Sequence, residues 1–88
     1  MSELFLTEII TPEKTVFSGK VALTTVPATE GQMGVMAHHA PLLASLEEGE
    51  IILTRTLDGS GTPLRHRISG GFVEIGDNRC TILAERLI

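Results

Sequence analysis

The chain has no tryptophan and no tyrosine, and only three phenylalanines. Base-stacking platforms and aromatic sugar clamps are therefore not expected. Basic residues are also scarce: 7 Lys and Arg stand against 11 Asp and Glu, giving a formal net charge of −4. A binder of nucleic acid or anionic lipid needs a basic face, so that balance argues against both. Cys80 is the single cysteine, which excludes an internal disulfide and any Cys-rich zinc site and fits a reducing compartment. Long apolar runs are missing too. The stretch from Ala40 to Leu46 is broken by Ser45, far short of the roughly 20 residues of a membrane helix. Met1-Ser2-Glu3 lacks the basic n-region and apolar stretch of a secretory signal. No Gly-Lys-Ser/Thr occurs, and neither Gly31/Gly34 nor Gly59/Gly61 opens a helix as a dinucleotide fingerprint does. At 88 residues the chain suits one domain, spanning 1–88, with a thin core and little room for an enclosed active site. With 42% apolar and 20% charged residues, that domain is globular. Composition alone suggests a small soluble scaffold or interaction module.

What the chain does have is strand patterning. Leu4 to Ile10 is dense in apolar and β-branched residues and ends at Thr11-Pro12. Lys14 to Ser18 stops at Gly19, and Lys20 to Val26 puts Val21, Leu23 and Thr25 on one face. Glu50 to Leu57, Leu64 to Ser69, Gly71 to Ile75 and Arg79 to Leu83 complete the series. Breakers lie between them: Thr29-Glu30-Gly31, Glu48-Gly49, Asp58 to Gly61, Gly70-Gly71 and Gly76-Asp77-Asn78. Asp58 to Pro63 and Asp77-Asn78 read as hairpin turns. Short strands so punctuated point to an all-β sandwich or barrel. Only Ala40 to Leu46 has room for a helical turn.

Candidate chemistry is sparse. Adjacent His38 and His39 on an extended chain point to opposite faces, so a metal site would need His66 to converge with an acid such as Glu30 or Glu74. The plainer reading gives one of the pair to capping the turn before Pro41 and leaves His66 beside solvent. Ser45 and Ser69 lack the setting of a nucleophile, and Cys80 reads as a packed, inert thiol. Glu47-Glu48-Gly49-Glu50 lacks the spacing of a calcium loop and reads as a solvated turn. No catalytic, cofactor or metal residues are assigned.

One segment carries more. Glu30-Gly31-Gln32-Met33-Gly34-Val35-Met36-Ala37-His38-His39-Ala40-Pro41-Leu42-Leu43 closely resembles the signature loop of the epsilon subunit of the rotary F-type ATP synthase. Thr11-Pro12-Glu13 with Val16-Phe17-Ser18-Gly19 resembles that family's first hairpin. Leu46 to Ile51, Ser69 to Ile75 and Thr81 to Glu85 are similar to its later steps, in order.

The resemblance implies a flattened, ten-stranded β-sandwich, the family's N-terminal domain. It also implies a non-catalytic rotor part in the central stalk of a proton-translocating ATP synthase. That part is clasped to the gamma subunit and seated on the membrane ring of c subunits, so that ion flow drives ATP synthesis. The implied location is peripheral, on the cytoplasmic face of the bacterial inner membrane, with no small-molecule substrate. By resemblance, Glu30, Gly31, Gln32, Met33 and Gly34 face the c ring, and Thr11, His39, Ala40, Pro41, Leu42 and Ala44 face gamma. Gln32 stands where an acid is also common in the family. Met33 and Met36 suit core packing as well as contact. Most members continue into a helical hairpin that brakes ATP hydrolysis, while this sequence stops at Glu85-Arg86-Leu87-Ile88. The expected structure is thus the sandwich without that hairpin, and no inhibitory or ATP-binding residue is carried over. Two other readings are weighed beside it: a small metal-dependent β-barrel enzyme using His38, His39 and His66, and a free-standing adaptor domain.

Overall fold

Period-two alternation governs the structure. In a computed structural model, which describes residues 3–88, β1 (Phe5–Ile10) buries Phe5, Thr7 and Ile9 and turns Leu6, Glu8 and Ile10 outward. Met1 and Ser2, on which part of the reading of the chain's start rests, lie outside the described residues. The other strands are β2 (Thr15–Val21), β3 (Leu23–Ala28), β4 (Gly31–Val35), β5 (Leu42–Leu46), β6 (Gly49–Thr54), β7 (Leu64–Ile68), β8 (Gly71–Gly76) and β9 (Arg79–Ala84). No described helix is long and apolar enough to cross a membrane.

The ladder runs β2-β1-β9-β8-β5-β3-β6-β7, with β4 on the other edge of β3. All pairs are antiparallel except β1 with β9. β3 meets β5 at one residue pair, Ala28 with Leu46, while it pairs more fully with β4 and β6. That thin joint is the corner at which the sheet folds over. One half is β2-β1-β9-β8-β5 and the other is β4-β3-β6-β7. On the far side Phe17 of β2 and His66 of β7 lie with ring centroids 6.5 Å apart. The two halves enclose one core that includes Ile9, Val26, Ile51, Leu53, Ile68, Val73 and Ile82, all fully buried. Within it, Thr7 and Thr24 satisfy each other through a 2.7 Å hydroxyl bond between the halves.

The all-β expectation holds, with differences in detail. Among the described residues there are nine strands where ten were expected. Arg86–Ile88 lies along β7, with Leu87 bridging Ile68 and Ile88 N–H bonding Arg67 O at 2.9 Å, but the pairing is too short to make a strand. Ala40–Leu46, the one stretch with room for a helical turn, holds none: Leu42–Leu46 is β5, paired with β8 from Leu42↔Ile75 to Leu46↔Gly71. Seven residues cannot recover the cost of nucleating a helix, and a waiting strand offers a bond partner at each step. Gly31–Val35, read as a turn region, pairs with β3 over five residues. Gly19 sits inside β2 opposite Thr7 rather than ending it. The hairpin readings stand. Asp58–Pro63 falls between the paired β6 and β7, and Asp77 and Asn78 take positive φ of 50° and 57° between β8 and β9.

Cys80 is fully buried in β9, and burial pushes its thiol from 9.0 up to about 12. In the unfolded chain the thiol ionises near its ordinary value, while in the folded chain it stays protonated to about pH 12. The unfolded state thus releases the proton first, and stability falls as pH rises above about 9, by about 1.4 kcal/mol per unit. Urea titrations at pH 8 and 10 should show this loss, and Cys80→Ala should lack it. Equal pH slopes in the two proteins would contradict the assignment.

Candidate functional site

The signature segment folds as a ribbon around one corner of the sandwich. Thr29 and Glu30 form the turn between β3 and β4, where Thr29 N–H donates to Ser45 O at 3.0 Å. Gly31 follows at φ 126°, a region that suits glycine and would strain other residues. Glu30, Gly31, Gln32 and Gly34 are exposed. Met33 is half-buried against the core, whereas Met36 is half exposed, so the two methionines divide between packing and surface. Ala28–Met33 and Leu42–Ser45 together line a shallow groove of about 420 Å³. The structure therefore brings Glu30, Gly31, Gln32 and Met33 beside Leu42 and Ala44. Ala40 and Pro41 are exposed nearby, and Ala44 turns partly inward opposite Val73.

The two histidines sit in a turn, not on an extended chain as the sequence reading assumed. His38 has φ 63°. Its N–H donates to Asn78 Oδ1 at 2.7 Å, and its Nε2 lies 3.0 Å from Glu3 Oε1. His39 N–H donates to Met36 O at 3.2 Å and its Nδ1 to Ala40 O at 2.7 Å, which is the cap before Pro41. His66 is half-buried against Phe17 instead of lying beside solvent. The three histidines are not brought together, and no group of three His, Cys, Asp or Glu side chains suited to a metal occurs among the described residues.

The hydrogen bond from His38, and then its charge, hold the Glu3 carboxyl below the ordinary carboxylate range. A carboxyl so lowered supports the fold above its unfolded value and loses that support as pH falls through the folded one. In an NMR titration Glu3 should ionise at lower pH than it does in His38→Ala. Identical titrations would show that the 3.0 Å contact is not populated.

Thr11 is placed elsewhere. It is 8% exposed, and its hydroxyl closes the β1–β2 turn by donating to Lys14 O at 3.2 Å. Beside it, Ile10, Pro12, Phe72 and Leu83 line a second hollow of about 330 Å³. Phe72 and Leu83 were not singled out from the sequence, although the alternation of β8 and β9 carried the signal. Val73, Ile75, Ile82 and Ala84 point inward, so Phe72 and Leu83 must point out.

Residues 5–88 match the model of the ATP synthase delta/epsilon chain β-sandwich domain. The chain belongs to this family. The ATP synthase epsilon chain of Rhodospirillum rubrum is 39% identical over 85 residues, which are 97% of this chain and 61% of that one. The epsilon chain of Rhizobium meliloti is 39% identical over 88 residues, 100% of this chain and 63% of that one. The chain thus spans about three-fifths of the length of these epsilon relatives. Among solved structures, a chain of the Euglena gracilis mitochondrial ATP synthase superposes with a TM-score of 0.83 at 23% identity, covering 97% of this chain and 52% of that one. That likeness shows the fold alone.

Proposed function

We propose that the chain, taken as one epsilon-type domain over 1–88, is a non-catalytic part of the central stalk of a proton-driven F-type ATP synthase. It joins the gamma subunit to the c ring, so that ion flow turns the stalk and drives ATP synthesis. The observation that carries this reading is the family match over residues 5–88. Two features support it. The hollows lined by Ala28–Met33 with Leu42–Ser45 and by Ile10, Pro12, Phe72 and Leu83 are shallow grooves suited to protein contact. The Euglena relative by fold was solved within an assembly described as OSCP/F1/c-ring. In this reading Glu30, Gly31, Gln32, Met33 and Gly34 meet the ring, and Thr11, His39, Ala40, Pro41, Leu42 and Ala44 lie toward gamma. The protein works at the cytoplasmic face of the bacterial plasma membrane through the complex, with no cofactor of its own. The role rests on the stiffness of cross-strand pairing in the sandwich.

Reconstitution tests it. The purified chain should bind gamma and, with gamma, the c ring, and should raise ion-driven ATP synthesis in vesicles. Failure to bind either would overturn the reading. Gly34 has ordinary φ, and a Cβ there would meet only Leu23 Cδ1 at 3.4 Å. Gly34→Ala should therefore fold normally, and Gly34→Gln should weaken ring binding while its melting temperature stays close to that of the wild type.

A further inference from the structure

The stalk role makes no use of the loop between β6 and β7. It lies at the far end of β3 from the Glu30 turn: Leu23 pairs with Thr54 at this end, and Ala28 with Gly31 at the other. The loop holds Asp58-Gly59, the only Asp-Gly step in the sequence. Such a step is chemically special, because glycine has no Cβ to shield its amide nitrogen from the preceding carboxyl. Both residues are exposed. Three bonds shape the loop. Gly59 N–H donates to Thr56 O at 3.0 Å, and Ser60 N–H to Asp58 Oδ1 at 2.9 Å. The Thr56 hydroxyl donates to Ser60 O. Both reactive groups are thereby engaged elsewhere. The Gly59 N–H is committed to Thr56, and the carboxyl is drawn past Gly59 to Ser60 in an Asx turn. Bonds from the Ser60 backbone and hydroxyl, and then from the Thr56 hydroxyl, also hold the Asp58 carboxyl below its ordinary range. It therefore stays ionised, the form least open to attack. Asp77, the other aspartate, is followed by Asn78, whose side chain crowds the amide.

We propose that Asp58 is a gated modification site, at which opening of the β6–β7 loop allows conversion to isoaspartate. In the open loop the Gly59 nitrogen attacks Cγ of the protonated Asp58 carboxyl. A Cγ–N bond forms, a Cγ–O bond breaks, and the oxygen leaves as water with the Gly59 amide proton. Water then adds to the five-membered imide. Addition at Cγ restores aspartate, and addition at the main-chain carbonyl carbon leaves the chain running through the former side chain. No oxidant, reductant or co-reactant other than water takes part. The product carries one extra methylene in the backbone, so the original Asx turn is lost and the loop cannot close as before. The site is independent of the stalk reading, because it draws only on the loop's own groups.

The experiment incubates the full chain at physiological temperature and pH, native and in guanidinium chloride. Electron-transfer mass spectrometry then measures isoaspartate in the digested peptide that holds residue 58. Each of the three bonds biases the loop roughly 2–10-fold toward its closed form, so the native chain should convert at least about tenfold more slowly than the unfolded one. Combining Thr56→Ala with Ser60→Ala removes two hydroxyls from exposed residues. That variant should convert about 2–10-fold faster than the native wild type and at an unchanged rate in guanidinium. Its melting temperature checks that it folds, and the native-to-unfolded ratio of the wild type decides independently of it. Asp58→Glu, which would need a six-membered ring, should abolish the signal, and Asp77 in the same digest should lag behind Asp58. Equal native and unfolded rates would overturn the gate, as would a folded double variant no faster than wild type. Absence of isoaspartate at residue 58 in guanidinium would overturn the site itself.

Discussion

Gly71→Ala is expected to cost about 3–5 kcal/mol and lower the melting temperature by more than about 10 °C. Gly71 opens β8 at φ 145°, a conformation that L side chains rarely adopt. A Cβ there would stand 2.1 Å from Leu83 O and 3.0 Å from Ala84 Cα. Both neighbours are backbone, so no rotamer change relieves the clash. Relief requires pulling β8 away from β9 at Gly71↔Ala84, in the middle of the ladder. A domain of this size has roughly 5–15 kcal/mol of stability in total, so the loss is a large share of it. Gly76, at the other end of the same strand, has ordinary φ and open space around a Cβ. Gly76→Ala should change stability by less than about 1 kcal/mol. Thermal unfolding of the pair checks both, and equal melting temperatures would refute the steric argument.

Ile82→Ala should cost about 2–5 kcal/mol, and Leu83→Ala, one residue later, less than about 1 kcal/mol. Ile82 is fully buried in β9, in register with Ile9 of β1 and Val73 of β8, which are also fully buried. Its truncation leaves a void among β-branched side chains whose χ1 freedom is small, so the walls cannot close in. Leu83 faces the other way and is 46% exposed, and removing its branch opens no void. Urea midpoints measure the difference. Similar costs at the two positions would mean that the faces of β9 are misassigned.

Much of this architecture could be read before any coordinates. β1, β6, β7, β8 and β9 announce themselves by alternation, and the β8–β9 hairpin by Asp77-Asn78. β4 was missed because Gly31 and Gly34 weaken the strand signal, and only pairing along β3 holds the segment extended. In the sequence β5 has room for a helical turn because a short apolar run has no period of its own, and only the edge of β8 decides it. The extended backbone assumed for His38 and His39 failed for a related reason. Asn78, from a distant turn, holds the His38 N–H and helps stabilise the positive φ. The glutamate-to-leucine signature, by contrast, was legible as a family resemblance, and the match over residues 5–88 agrees with it.

The sequence by itself determined the all-β character, the main turns and the family, because these depend on local alternation, breakers and a contiguous motif. Tertiary structure alone decided which residues share a surface. Alternation says that a strand has two faces, but neighbouring strands decide which face is covered. The parallel pairing of β1 with β9 sets Ile10 beside Leu83, from opposite ends of the chain, and β8 adds Phe72 to the row. The fold at the Ala28–Leu46 corner likewise sets Glu30 and Gln32 beside Leu42 and Ala44. Such contacts follow from long-range register, which is fixed when the two halves close over one core.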